Sequence, residues 1–156
     1  MTTLRTLMVE DAEDDALLIA RSLRQHGLEI DSLRVATREA LLEALAEGQW
    51  DLAILDHNLP GFSGLQALEI LQQQDFEGPV ITVSGTIGEE TAVECMRAGA
   101  HDYVMKDNLA RLGPAVEREL RDAQVRRDRR RDQQALAASE ERYRNLVETM
   151  GDGVHM

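Results

Sequence analysis

Apolar positions along the first hundred residues alternate between two rhythms. The short aliphatic runs "LRTLMVE" (4–10), "DLAILD" (51–56) and "PVITVSG" (79–85) read as strands, with "LEIDSLRVA" (28–36) a weaker one and "HDYVMK" (101–106) a short fifth. Between them apolar residues recur at helical spacing. Leu17, Leu18, Ala20 and Leu23 do so in "DDALLIARSLRQHG" (14–27), which Gly27 closes. "TREALLEALAEGQW" (37–50) has Thr37 as N-cap and Gly48 past its end, and "LQALEILQQQ" (65–74) and "EETAVECMRAGA" (89–100) complete the set. Strands separated by helices predict βαβ units, and so an α/β domain with a parallel sheet covered on both faces. Such sheets collect their chemistry at the C-terminal ends of the strands.

The residues predicted at those ends are unusual. Glu10 and Asp11 follow the first strand, Asp56 ends the third, Ser84 the fourth and Lys106 the fifth. Each has a plainer reading when taken alone. An acidic pair can complement a helix start, although Asp14 and Asp15 already fill that role, and an aspartate can simply end a strand. Together they say more. Clustered carboxylates resist ionising unless a cation joins them, and all-oxygen ligation suits Mg²⁺ or Mn²⁺ rather than Zn²⁺. A hydroxyl and an ammonium beside them suit a tetrahedral anion, and a carboxylate can accept a phosphoryl group as an acyl phosphate. Lys106 is the only lysine; the other sixteen basic residues are arginines. A compact ammonium and a planar guanidinium are not interchangeable.

Charge narrows the partners. The net charge is -12, and it is uneven: residues 1–109 hold 20 acidic and 7 basic residues, whereas 110–156 hold 9 and 10. The acidic part repels nucleic acid and anionic membrane. No apolar run is long enough to span a bilayer, the start has no signal-peptide pattern, and Cys95 has no partner for a disulfide, so a cytoplasmic setting is expected. Cys95 and Trp50 read as core. His57, beside Asp56, should point to the opposite face from it, and His26, His101 and His155 have no metal-ligand spacing.

"VED" (9–11), "LAILDHNLPG" (52–61), "VSG" (83–85) and "DYVMK" (102–106), in this order, resemble the receiver domain of two-component response regulators over about residues 4–122. The resemblance implies a flavodoxin-like (βα)₅ fold with sheet order 2-1-3-4-5. It implies that Asp56 accepts a phosphoryl group from a histidine kinase or histidine phosphotransfer protein. Glu10, Asp11, Asp56 and the Asn58 carbonyl would hold Mg²⁺. Ser84 would bind a phosphoryl oxygen, Lys106 would pair with the phosphoryl group, and Tyr103 would be the switching aromatic. Many receivers carry proline after the lysine; Asp107 stands here instead and is expected to cap the last helix. Asn58 and Thr86 occupy positions that influence acyl-phosphate lifetime in the family. Two other readings stand beside the switch. One is an interaction module that is never phosphorylated. The other is an aspartyl-nucleophile phosphatase, against which "DHN" puts Asn58 where the haloacid-dehalogenase type has a second aspartate. Any output enzyme would lie outside this chain.

After Pro114 little breaks the helical pattern, and Glu117–Arg121, Asp122–Arg126 and Glu140–Arg144 stand at i,i+4, so the last helix should run to about residue 148. Val116, Leu120 and Ala123 fit one heptad phase; Leu136, Ser139, Tyr143, Leu146 and Met150 fit a displaced one. This suits a homodimeric coiled coil with a signalling role. "RRDRRR" is interrupted by Asp128 and Asp132, and no nucleic-acid contact is expected. "SEERYRNLVETMGDGVHM" resembles the lead into a PAS domain. The expected division is therefore a receiver at 1–122, a signalling helix at 123–148 and the truncated start of a PAS-like domain at 149–156, in a piece of a longer regulator.

Overall fold

Five strands, β1 (Leu4–Val9), β2 (Ile30–Val35), β3 (Leu52–Asp56), β4 (Val80–Ser84) and β5 (Asp102–Met105), form one parallel sheet in the order β2-β1-β3-β4-β5. This computed structural model describes residues 3–154 except 58, 60, 62 and 86–88, with side chains also left out at 89, 139 and 141–154. The helices are α1 (Glu13–Gln25), α2 (Arg38–Glu47), α3 (Gly64–Gln73), α4 (Glu89–Arg97) and α5 (Leu112–Val154). Asn58, Thr86 and His155, each singled out from the sequence, lie outside the described residues.

β3 is buried throughout, as a central parallel strand covered on both faces must be. Its side chains alternate between two cores. Ala53 and Leu55 join Leu7, Val9, Leu41, Leu68 and Cys95 on one face, while Leu52 and Ile54 join Met8, Ile19, Leu23, Leu112 and Val116 on the other. Burying each large aliphatic side chain contributes about 1.5–3 kcal/mol.

Local chemistry sets the helix starts. The Thr37 hydroxyl accepts from the Ala40 N–H at 3.1 Å, and Ser63 and Gln66 form a capping box at the head of α3. α1 has no side-chain cap at Ala12; Glu13, Asp14 and Asp15 fill its first turn and complement the helix dipole.

Four expectations change. Asp107 does not cap α5: it sits inside a 3₁₀ segment, Lys106–Arg111, that precedes the α-helix at Leu112. The tighter turn brings Arg111 back onto β5, where it bonds the Tyr103 carbonyl and reaches Asp102 Oδ1 at 2.8 Å. Val116 and Leu120 pack into the α1-side core, so these two positions of the first heptad phase are committed within the sheet domain. Trp50 is only partly buried, with Arg5 stacked 4.5 Å from its ring centre and its indole N–H donating to the Ala44 carbonyl. The chain divides into two compact units, Met1–Arg121 and Asp122–Met156. The second consists of the distal part of α5, which continues to Val154 rather than about 148.

Candidate functional site

The register of the sheet decides which side chains meet. Val9 pairs with Leu55, Asp56 with Val83, and Val83 with Val104, so the ends of β1, β3, β4 and β5 lie almost level. Met8, Ile54 and Val104 face the α1-side core, and two residues on from each come Glu10, Asp56 and Lys106. These three therefore emerge on one side of the strand ends.

Carboxylate oxygens of Glu10, Asp11 and Asp56 lie within 4.8 Å of one another. Glu10 and Asp56 are buried and Asp11 is exposed. Lys106 Nζ stands 3.1 Å from Glu10 Oε2, 3.4 Å from Asp56 Oδ2 and 2.7 Å from Asp15 Oδ2. Glu10 Oε1 accepts from the Ala12 N–H at 3.1 Å, whereas among the described residues Oε2 has the ion pair with Lys106 and no well-directed hydrogen bond. Arg34, reaching across from β2, donates to the Glu10 carbonyl at 3.3 Å and the Asp11 carbonyl at 3.4 Å, which pins the backbone that carries both acids.

Charge balance follows from this packing. Burial pushes the Glu10 carboxyl up to about 7; the Ala12 N–H and Lys106 oppose the rise and Asp56 adds to it. Burial also works against the Lys106 charge, but Asp15, Glu10 and Asp56 outweigh it and hold the amine above its ordinary value. The ammonium therefore stays charged, and Glu10 is the group whose proton is loosely held near neutrality.

Ser84 ends β4 fully buried, and its hydroxyl has no hydrogen-bond partner among the described residues. A buried hydroxyl without a partner is costly, and it leaves Ser84 with a donor to offer at the end of β4. Tyr103 is half-buried on β5, its hydroxyl donating to Met105 Sδ at 3.0 Å. His57 turns to the other face, where Nδ1 lies 3.6 Å from Cys95 Sγ inside the α3–α4 core, and takes no part in the acidic cluster.

Two contributors were not assigned to the site from the sequence. Asp15 was given only to the helix dipole, yet it stands in the first turn of α1, four residues after Asp11, and that closeness to the acidic pair was the available signal. Asp102 carried no role. It accepts from Arg111 at 2.8 Å, from Arg118 at 2.5 Å and from the Tyr103 N–H at 2.7 Å, tying β5 to the first turns of α5. Nothing in the local sequence pairs an aspartate with arginines nine and sixteen residues on.

The family model of the response regulator receiver domain matches residues 6–117. The transcriptional regulatory protein YkoG of Bacillus subtilis is 35% identical over 115 residues, covering 70% of this chain and 50% of the relative. Among solved structures, NtrX of Brucella abortus aligns with a TM-score of 0.71 at 32% identity, covering 81% of this chain and 29% of the other. A CheY-like receiver domain protein of Methanospirillum hungatei aligns at 0.69 and 25% identity, covering 80% and 99%. The chain spans half or less of the length of the curated relatives it matches, down to 15% for the regulatory protein RpfC of Xanthomonas campestris.

Proposed function

The chain belongs to the response regulator receiver domain family, and we propose that within it this protein is a phosphoacceptor switch with Asp56 as the acceptor. The observation that carries the reading is the grouping of Asp56 with Glu10, Asp11 and Lys106, beside the buried, unpartnered Ser84 hydroxyl.

Receiver domains bind Mg²⁺ at this acidic pocket. The residues here fit it: three carboxylates within reach of a single ion, one of them exposed, and a Glu10 oxygen that lacks a directed hydrogen bond. Glu10, Asp11 and Asp56 would hold the ion, with the Asn58 carbonyl as the fourth protein ligand. Bound there, Mg²⁺ supplies positive charge against the phosphoryl oxygens.

An Asp56 carboxylate oxygen attacks phosphorus, the P–N bond of a phosphohistidine breaks, and the imidazole of the donor kinase or phosphotransfer protein leaves with the bonding pair. The Asp56 acyl phosphate keeps the phosphoryl group. Lys106 meets the added negative charge, and the Ser84 hydroxyl donates to a phosphoryl oxygen. Ser84 ends β4 and pairs in register with Met105, so its movement is felt on β5 beside Tyr103. From there Asp102, Arg111 and Arg118 connect the strand to α5.

The protein is regulatory; its relatives are regulatory proteins. We assign α5 beyond the domain to homodimerisation and signal relay, residues 149–156 to the approach to a PAS-like domain, and the working compartment to the cytoplasm. Among the described residues no helix is long and apolar enough to cross a membrane. Neither nucleic acid nor membrane is a partner in this reading.

Acetyl phosphate with Mg²⁺ should add the mass of one phosphoryl group to the parent and nothing to Asp56→Asn. A parent that gains no mass, and shows no response to beryllofluoride, would overturn the assignment. In sedimentation, residues 1–156 should be heavier than a monomer while 1–122 is monomeric; two monomers would remove the dimeriser role of α5.

A further inference from the structure

Lys106 sets one positive charge against three carboxylates. Its shortest contact is with Asp15 at 2.7 Å, not with Asp56 at 3.4 Å. Glu10 lies between these at 3.1 Å. Asp15 is also the outermost of the three, about a third exposed, whereas Glu10 and Asp56 are buried. One flexible ammonium is thus shared between the buried cluster and an acid at its mouth on α1.

We propose that Asp15 is a positioning residue for Lys106: it holds the ammonium toward the mouth of the crevice in the unphosphorylated state and competes with a phosphoryl group on Asp56 for it. This rests on the acceptor role given to Asp56 above. Two effects act in the same direction. The Asp15 ion pair stabilises the resting arrangement, which a phosphoryl group must break or stretch to recruit Lys106. The Asp15 carboxylate also repels a new anion at Asp56, with the Lys106 side chain between them. Asp15 therefore biases the switch toward its resting state, and it sets how much phosphorylation gains from Lys106.

The bias is weaker than the binding it opposes, because Asp15 is partly solvated and screened. Removing it should strengthen the activated state several-fold rather than lock it. A second consequence concerns the neighbouring acids. Asp14 lies in the same helical turn and appears in no ion pair with Lys106 among the described residues. Substitution there changes the local charge equally but leaves the ammonium where it is, and this separates a specific pair from general electrostatics.

The single lysine makes the experiment direct, since lysine labelled with ¹³C and ¹⁵N gives one side-chain ammonium signal in the full chain. Asp15→Asn should shift that signal in the metal-free protein and tighten beryllofluoride binding about three- to tenfold in the presence of Mg²⁺. Asp14→Asn should do neither. Circular dichroism and urea unfolding confirm that each variant folds, and Asp15→Ala provides a second variant if Asp15→Asn does not. An unmoved Lys106 signal, or beryllofluoride affinity equal to the parent or weaker, overturns the proposal. A parent that itself takes up no phosphoryl group and no beryllofluoride would instead overturn the acceptor reading, and the Lys106 signal of Asp15→Asn would still report on the pair.

Discussion

Lys106→Ala is expected to lose about 2 kcal/mol of stability at pH 8 without metal, because it removes the cation that three carboxylates share. Water can screen Asp15, but Glu10 and Asp56 are buried and are left facing each other. The loss should be smaller at pH 5.5. The Glu10 carboxyl already sits near 7 against an ordinary 4.5, so folding takes up a proton between those values. Its stabilising contribution is therefore complete below about 4.5 and disappears as pH rises through 7. Without Lys106 the carboxyl climbs further, so protonation relieves the repulsion fully at pH 5.5 and only in part at pH 8. Mg²⁺ should restore the variant, which binds it on the order of tenfold more tightly at pH 8 because no ammonium competes for Glu10 and Asp56. In the parent, Mg²⁺ binding should weaken as pH falls below 7, where the Glu10 proton must be displaced. Urea unfolding at both pH values, with and without Mg²⁺, and titration calorimetry check these points together. A variant as stable as the parent at pH 8 would mean that Lys106 does not neutralise the cluster.

Gly64→Val should couple a fold defect to a site defect. Any Cβ at Gly64 would lie 2.8 Å from His57 Cα and 3.1 Å from the Asp56 carbonyl oxygen, both of them backbone atoms that cannot swing aside. The Gly64 N–H also donates to the His57 carbonyl at 3.1 Å, so the head of α3 is bonded to the residue after Asp56. A side chain there must push the helix and the end of β3 apart, at about 2–3 kcal/mol. Beryllofluoride affinity should fall at least tenfold as Asp56 is displaced from Glu10 and Lys106. Gly64→Ala should show the same two losses at smaller size. Gly85→Ala is the contrast: among the described residues its Cβ would meet only Lys106 Cδ, at 3.8 Å, an ordinary contact, and it should unfold within about 1 kcal/mol of the parent. Equal unfolding of Gly64→Val and the parent in urea would refute the steric account.

Much of this was legible before any coordinates, for a physical reason. Alternating aliphatic runs and helical spacing report burial, and burial on two faces of a parallel sheet leaves a strong periodic trace, as in "DLAILD" and "LQALEILQQQ". Strand ends then follow from where that trace stops. Glu10, Asp11, Asp56 and Lys106 could be placed at one edge because each ends an apolar run, although they are spread over 97 positions. His57 could be set apart from Asp56 by the two-residue period alone, and it does turn into the opposite core beside Cys95.

Local sequence failed where distance in the chain hid the partner. Asp107 looked like a cap because caps are local, but Arg111 and Arg118 converge on Asp102 and a 3₁₀ segment leads into α5 instead. Val116 and Leu120 looked like heptad knobs because a helical face has the same period whether it meets a second chain or its own sheet.

The order of strands and helices, the edge of the sheet that carries chemistry and the residue types gathered there were determined by the sequence alone, through periodicity and the need to bury apolar surface. Which acids share the single ammonium was decided only by the tertiary structure. Asp15, Glu10 and Asp56 compete for Lys106 within 3.4 Å, and such proximity depends on the register of β1, β3 and β5 and on the approach of α1.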